Sequence, residues 1–328
     1  MMGGGFRVPA PSEQRTANRT PITFAPKMSS ISKGAWMTIF LLALVTTSIR
    51  NARADQSCDA EPTTYDYSRV VAEPRNKGIA FEDLPGFTRS FYNRDHALIT
   101  PESRVWAGYP GWTNTLTAHL ISPGSGAHFT MYIANMAPES SSGPPADPSM
   151  ERFAFVLEGT VAVQAGGETS RTLTADHYVY FPPGMTHSLA SFAGAKLVIF
   201  ERVYGIKDGN PKFQVGTVDS KPHLPTAGEV FQLRKLMPAS SDYDFNIHIM
   251  DFKPGEHLNV KEVHYNQHGL LLLQGKGIYR LADNWFPIQA GDAIYMGPFV
   301  PQWYAALGYE NSRYILYKDT TVDPLMTP

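Results

Sequence analysis

A carboxylate and two imidazoles stand close together in the run Glu262-Val263-His264-Tyr265-Asn266-Gln267-His268, and an amide follows at Gln302 in Pro298-Phe299-Val300-Pro301-Gln302-Trp303. One anionic oxygen donor, two neutral nitrogen donors and one amide oxygen are the raw material of a divalent metal site with mixed ligands. Glu262 and His264 are two residues apart, so on a strand both side chains point to one face. His268 lies four residues further on, which at about 3.3 Å per residue is too far along a straight strand to reach the same ion. The chain must therefore turn at Tyr265-Asn266-Gln267, and Gln302 must enter from a neighbouring hairpin. Any one of these residues alone is more often a satisfied polar group than a ligand. The E-x-H-x3-H spacing, followed by a glycine-punctuated apolar strand, is what raises the set above that.

The elements that must position these residues are strands. The chain has 328 residues, of which 43% are hydrophobic, enough for a sizeable core. Its 27 Gly and 26 Pro are spread throughout, as short strands joined by turns require. A layout also occurs twice. The run from Arg152 to Val163 (RFAFVLEGTVAV) matches His268 to Tyr279 (HGLLLLQGKGIY) with Gly275 over Gly159, and Pro182-Pro183-Gly184-Met185-Thr186-His187 matches the Pro298 to Gln302 segment. Two copies of one β-barrel are the economical reading. The expected boundaries are an arm over 55–97, a first barrel over 98–206, a linker over 207–225 and a second barrel over 226–328. Pro138 to Pro148 (PESSSGPPADP) is expected to be an exposed loop. In the first copy Arg152 stands where His268 does, Ala146 is nominally opposite Glu262, and only His187 remains of a ligand set. That half is expected to be structural.

Charge is unevenly divided. Residues 1–54 carry seven Lys or Arg against Glu13 alone, net +6, and the remaining 274 residues are net -8. Within the leader, Ala35 to Val45 (AWMTIFLLALV) has the length of a signal-peptide h-region and is shorter than the roughly 20 residues a membrane span needs. An uncleaved anchor and a buried helix are the competing readings. Ala52-Arg53-Ala54 fits an A-x-A cleavage site, which makes Asp55 the expected mature N-terminus and leaves no stable membrane insertion after cleavage. The secretory pathway, with the lumen of the endoplasmic reticulum foremost, is the expected compartment. Cys58 is the single cysteine, so no intrachain disulfide forms. The overall charge of -2 predicts no nucleic-acid partner.

The segments Gly255 to Gly277 and Gly291 to Gln302 resemble the two cupin motifs, and their doubling resembles a bicupin: an all-β fold of two tandem jelly-roll-like barrels. Within bicupins, EVHYNQHGLLLLQGKGIYRL, DNWFPIQAGD, PFVPQWYAALG and RYILYKD, with ALITPESRV, PGW and RFAFVLEG in the first half, resemble the plant (S)-ureidoglycine aminohydrolase family over roughly residues 60–325. The usual cupin set is three His and one Glu, and Gln302 takes the place of the last His. An amide oxygen makes a harder, weaker site than imidazole, which suits Mn²⁺ better than Zn²⁺ or Cu²⁺, and the resemblance implies Mn²⁺ as well. It further implies release of ammonia from (S)-ureidoglycine to give (S)-ureidoglycolate, and a homo-oligomer. Lys318 is the first choice for pairing with the substrate carboxylate or for proton transfer. Tyr279 and Tyr314 are expected to face the barrel interior and hydrogen-bond the substrate, with Glu262 acting beside them. The rival readings are a manganese bicupin oxidase or decarboxylase of a small carboxylate, which would keep His at position 302, and a non-enzymatic storage bicupin, whose ligand sets decay in both halves.

Overall fold

The computed structural model describes Tyr67, Val70 and residues 86–226 and 228–321. The leader, its apolar run, the cleavage site and Cys58 lie outside these residues. Among the described residues every regular element is a strand or a three-residue 3-10 turn.

Strands from the first half form a ten-stranded sheet. Its path runs Gln214–Thr217, His177–Phe181, Met150–Gly159, Ala195–Val203, Thr130–Ser142, His187–Ser191, Val161–Ala165 and Arg171–Leu173, with Trp112–Ile121 also paired to Thr130–Ser142. The second half forms two sheets. In the seven-stranded sheet, His268–Gln274 lies between Ala293–Met296 and Ser312–Asp319, followed by Phe245–Phe252 and the edge strand Gln232–Lys235. The three-stranded sheet is Asn284–Gln289, Lys276–Leu281 and Gln302–Leu307.

The repeat seen in the sequence is present as a repeated turn. Gly159 ends one long strand and Gly275 follows another, and they have φ of 79° and 78°. A Cβ at Gly159 would sit 2.3 Å from the Gly194 carbonyl oxygen and one at Gly275 2.8 Å from that of Asn311, so only glycine lets the returning chain pass this close.

The long strands are buried on both faces, which is why Leu270 to Leu273 is an unbroken apolar run. Leu271 and Leu273 join a core shared with Phe153, Phe155, Ile315 and Tyr317. Leu270 and Leu272 join a second core with Met250, Tyr279, Tyr304, Tyr314 and Leu316. Leucines on both faces cannot fix the register by themselves. Gly269 does, because a Cβ there would lie 2.6 Å from the Phe129 ring. With Gly269 turned toward Phe129, His268 is carried onto the face of Leu270 and Leu272. By the same alternation Lys318 continues the face of Tyr314 and Leu316, and His248 that of Met250 and Phe252.

Three segments differ from expectation. The Pro138 to Ser142 part of the expected loop belongs to the strand Thr130–Ser142, with Ser140 and Ser142 buried. Pro138 has no N–H to give, but the ladder resumes after Glu139, whose φ of 59° kinks the strand, and Ser140, Ser141 and Ser142 pair with Ser191, Ala190 and Leu189. Only the remainder of the run, from Gly143 onward, is irregular. The segment expected as a linker contributes Gln214–Thr217 to the first-half sheet, paired with His177–Phe181. His96–Ile99, at the junction of the expected arm and first barrel, pairs with Ala293–Met296 in the second-half sheet.

Candidate metal centre

Glu262, His264, His268 and Gln302 meet in the second half. Glu262 and Gln302 form an isolated antiparallel bridge, with Glu262 N donating to Gln302 O at 2.9 Å and Gln302 N to Glu262 O at 3.0 Å. His264 lies in irregular chain, not on the strand that the two-residue spacing suggested. The polar run before it makes only isolated bridges, His257 with Ala305 and Glu262 with Gln302, and the Phe299 N–H binds the His264 carbonyl at 2.8 Å. The chain bends at Tyr265, and His268 begins the leucine-rich strand.

The four side chains gather on the Gln302 amide. Its Nε2 is 3.3 Å from Glu262 Oε2, 3.2 Å from His264 Nε2 and 3.2 Å from His268 Nδ1. An NH2 group has two hydrogens and cannot satisfy three acceptors at once. Three donor atoms turned toward one partly positive group are what a cation would organise, and His264 Nδ1 and the buried His268 Nε2 have no hydrogen-bond partner. The two ends of an amide are isosteric, so turning Gln302 over would bring its oxygen into the set and leave its NH2 toward the Tyr279 hydroxyl, which is 3.0 Å from the outer end. No group of three or more His, Cys, Asp or Glu side chains among the described residues is closed enough to hold an ion alone. The residues fit a hard divalent ion that accepts one carboxylate, two imidazoles and one amide.

The electrostatics agree with ligation by neutral imidazole. Burial, then the charge of Lys318, holds His268 well below the usual imidazole range. Burial pushes Tyr279 and Tyr314 well above the usual phenol range, reinforced by Glu262 in both cases, so both hydroxyls stay protonated. Lys318 faces His268 across the ladder, and burial lowers its pKa against the opposing pull of Glu262.

Two residues that sequence reasoning missed share a cavity with Lys318. A cavity of about 370 Å³ is lined by Lys235, Asn246, His248, Lys318 and the turn around Ser240. His248 is 7% exposed, its Nε2 has no partner, and burial with Lys318 and Lys235 nearby holds its pKa at about 3. Its alternation with Met250 and Phe252 in FNIHIMDF was the available signal for an inward histidine. Lys235 carried no such signal, since it faces the cavity only because Gln232–Lys235 pairs with Phe245–Phe252. A larger cleft of about 850 Å³ near Arg94, Asp95 and Tyr295 is walled largely by glycine and turn residues and gathers no comparable set.

The chain is 61% identical over 246 residues to (S)-ureidoglycine aminohydrolase of Arabidopsis thaliana, covering 74% of this chain and 82% of that one. It belongs to the (S)-ureidoglycine aminohydrolase family. A bacterial (S)-ureidoglycine aminohydrolase, from Escherichia coli, is 30% identical over 249 residues, covering 74% and 95% of the two chains. The crystal structure of protein Ylba from E. coli superposes with a TM-score of 0.64 at 26% identity, covering 72% of this chain and 96% of that one. The cupin domain family matches residues 132–200, and the fold is an all-β cupin fold. That match falls on the half in which the ligand set is missing.

In this family member the first-half counterpart of the centre is filled by its own charges. Arg152 and Glu201 face each other across the ladder as His268 and Lys318 do in the second half. Arg152 Nε binds Glu201 Oε1 at 2.6 Å, and its Nη1 binds Ser142 Oγ, the Gly143 carbonyl and His187 Nε2 at 3.0, 2.7 and 3.2 Å. A guanidinium thus supplies the positive charge where the second half has its candidate ion site. His187 donates from Nδ1 to the Met185 carbonyl at 2.8 Å, which fixes it as a neutral acceptor toward Arg152. Burial and the Arg152 charge hold its pKa at about 4. Its folded pKa lies below its unfolded value near 6.5, so the stability it confers is complete above about pH 6.5 and is lost as pH falls toward 4. Urea unfolding of His187→Gln at pH 7 and 4.5 is expected to show an acid loss smaller than wild type by on the order of 2–3 kcal/mol. Equal losses in the two chains would remove His187 as the source.

Proposed function

We propose that the chain is a bicupin of two tandem barrels that hydrolyses (S)-ureidoglycine to (S)-ureidoglycolate and ammonia in purine (allantoin) breakdown, using Mn²⁺ held by Glu262, His264, His268 and Gln302. The observation that carries this is the convergence of those four side chains beside Lys318 in a chain 61% identical to an enzyme of that name. An ion held by Glu262, His264, His268 and Gln302 would supply a positive charge able to polarise the polar end of an α-amino acid.

In the net reaction the bond from the α-carbon to its amino nitrogen breaks, that nitrogen leaves as ammonia, and water gives its hydroxyl to the same carbon and its proton to the leaving group. Lys318, with its pKa lowered by burial, is suited to deliver that proton. The protonated hydroxyls of Tyr279 and Tyr314 orient the ureido group as donors, and Tyr279 also steadies the Gln302 amide. Lys235 and His248 close the wall around the polar end of the substrate. The basic leader supports entry into the secretory pathway and residence in the endoplasmic reticulum, and the family likeness supports a homo-oligomer.

The test is purified chain beginning at Asp55, loaded with Mn²⁺ and given freshly generated (S)-ureidoglycine, with ammonia and product chirality followed together. Fast ammonia release with a single product enantiomer is expected. Background release with racemic product would sink the reading.

A further inference from the structure

Both chain neighbours of His268 are gripped by consecutive residues of the first half. Gln267 is 2% exposed, and its side-chain Oε1 accepts the His128 backbone N–H at 2.9 Å. Gly269 lies against Phe129, so closely that a Cβ would sit 2.6 Å from the ring. Phe129 is fully buried and stacks on Tyr317 with centroids 3.9 Å apart. His268 can therefore shift only if the His128-Phe129 pair shifts with it.

A second clamp reaches the same turn through Asp319. Its Oδ2 accepts the Gln267 N–H at 3.3 Å, its own N–H binds the Gln267 carbonyl at 3.3 Å, and its carbonyl accepts from Asn266 Nδ2 at 2.7 Å. Asp319 Oδ1 is held in turn by Arg202 Nη1 at 2.9 Å and the Tyr317 hydroxyl at 2.7 Å. Arg202 belongs to the first-half strand Ala195–Val203, is 8% exposed, and is surrounded by Asp244 and Glu151 at 3.4 and 3.9 Å. A buried guanidinium ringed by carboxylates is costly to displace, since moving it strands charge in a low-dielectric interior. It therefore makes a fixed anchor.

We propose that the ligand-poor first half serves as the jig for the candidate metal centre, with Gln267 and Arg202 as positioning residues that fix where His268 presents its ring. The proposal rests on the reading of Glu262, His264, His268 and Gln302 as ligands. It gives the first half a task in the reaction although Arg152 fills its own site. Groups that orient a metal's ligands typically set its affinity by about 10–100-fold.

The experiment titrates Mn²⁺ into full-length wild type, Gln267→Leu and Gly269→Ala, reading free Mn²⁺ by electron paramagnetic resonance and the fold by melting temperature. Gln267→Leu leaves the His128 N–H without its acceptor, and Gly269→Ala pushes on the strand from the other side. Each is expected to weaken Mn²⁺ binding about 10–100-fold. Val163→Ala, in the first-half core away from the clamp, serves as a control for loss of stability alone and is expected to bind as wild type does. Gln267→Asn, which keeps the amide but draws it back by one methylene, replaces Gln267→Leu should that variant not fold. Wild-type affinity in a folded Gln267 variant overturns the proposal, as does an equal loss in Val163→Ala. A wild-type chain that binds no Mn²⁺ removes the metal reading and this inference with it.

Discussion

His268→Ala is expected to lose bound Mn²⁺ and turnover together. His268 is the most enclosed of the two imidazoles, at 2% exposure, and is held neutral by burial, which is the form that ligates. If four ligands share a binding free energy on the order of 10 kcal/mol, deleting one weakens affinity by about a hundredfold or more. Loss of the positive charge that a held ion would supply is expected to remove several kcal/mol of transition-state stabilisation, or about a thousandfold in kcat. Equilibrium dialysis against Mn²⁺, with kcat from ammonia release, measures both. Retained Mn²⁺ in a folded His268→Ala chain would take His268 out of the ligand set, and Glu262→Ala applies the same test to the carboxylate.

Lys318→Met separates charge from packing, because methionine keeps most of the apolar stem and removes the ammonium. Turnover is expected to fall by about a hundredfold or more, the usual worth of a positioned proton donor. Bound Mn²⁺ is expected to stay or tighten, since the ammonium that lowers the His268 pKa also repels a cation at that imidazole. The kinetic split is informative: a fall in kcat assigns proton delivery, whereas a rise in KM at constant kcat assigns pairing with the carboxylate. Lys235→Met, two strands away in the same sheet and lining the same cavity, is expected to raise KM severalfold and spare kcat. Wild-type kcat in Lys318→Met would remove Lys318 from the chemistry.

Much of the second half was legible because chemistry and periodicity agreed there. E-x-H-x3-H demanded a turn at Tyr265 to Gln267, and the chain bends at Tyr265. The doubled glycine spacing announced the repeat, and Gly159 and Gly275 adopt the same left-handed turn. Tyr279 and Tyr314 were expected inward and are both buried in the second core. The expected loop at Pro138 to Pro148 misled because proline argues against a strand only where its missing N–H would be needed. Next to a kinked residue at Glu139 the ladder closes around it. His264 misled in the opposite sense, since a spacing that suits a strand is equally served by irregular chain pinned at Glu262 and Phe299.

The sequence by itself determined the candidate ligand types, the need for a turn between His264 and His268, the repeat, and the family. The turn is encoded in residues a few positions apart, where steric rules act without reference to the rest of the chain, and the repeat and the family are read by comparing residue patterns, which needs no knowledge of which atoms touch. Only the tertiary structure decided that Lys235 and His248 wall the cavity, that the Gln302 amide is the focus of the set, and that His128, Phe129 and Arg202 hold the His268 turn. Those relations join residues far apart in the chain, as His128 is from Gln267 at 139 positions. They exist because burial on both faces of the central strands forces the two halves to share one core, and no local pattern in either half reports which atoms that shared core will bring together.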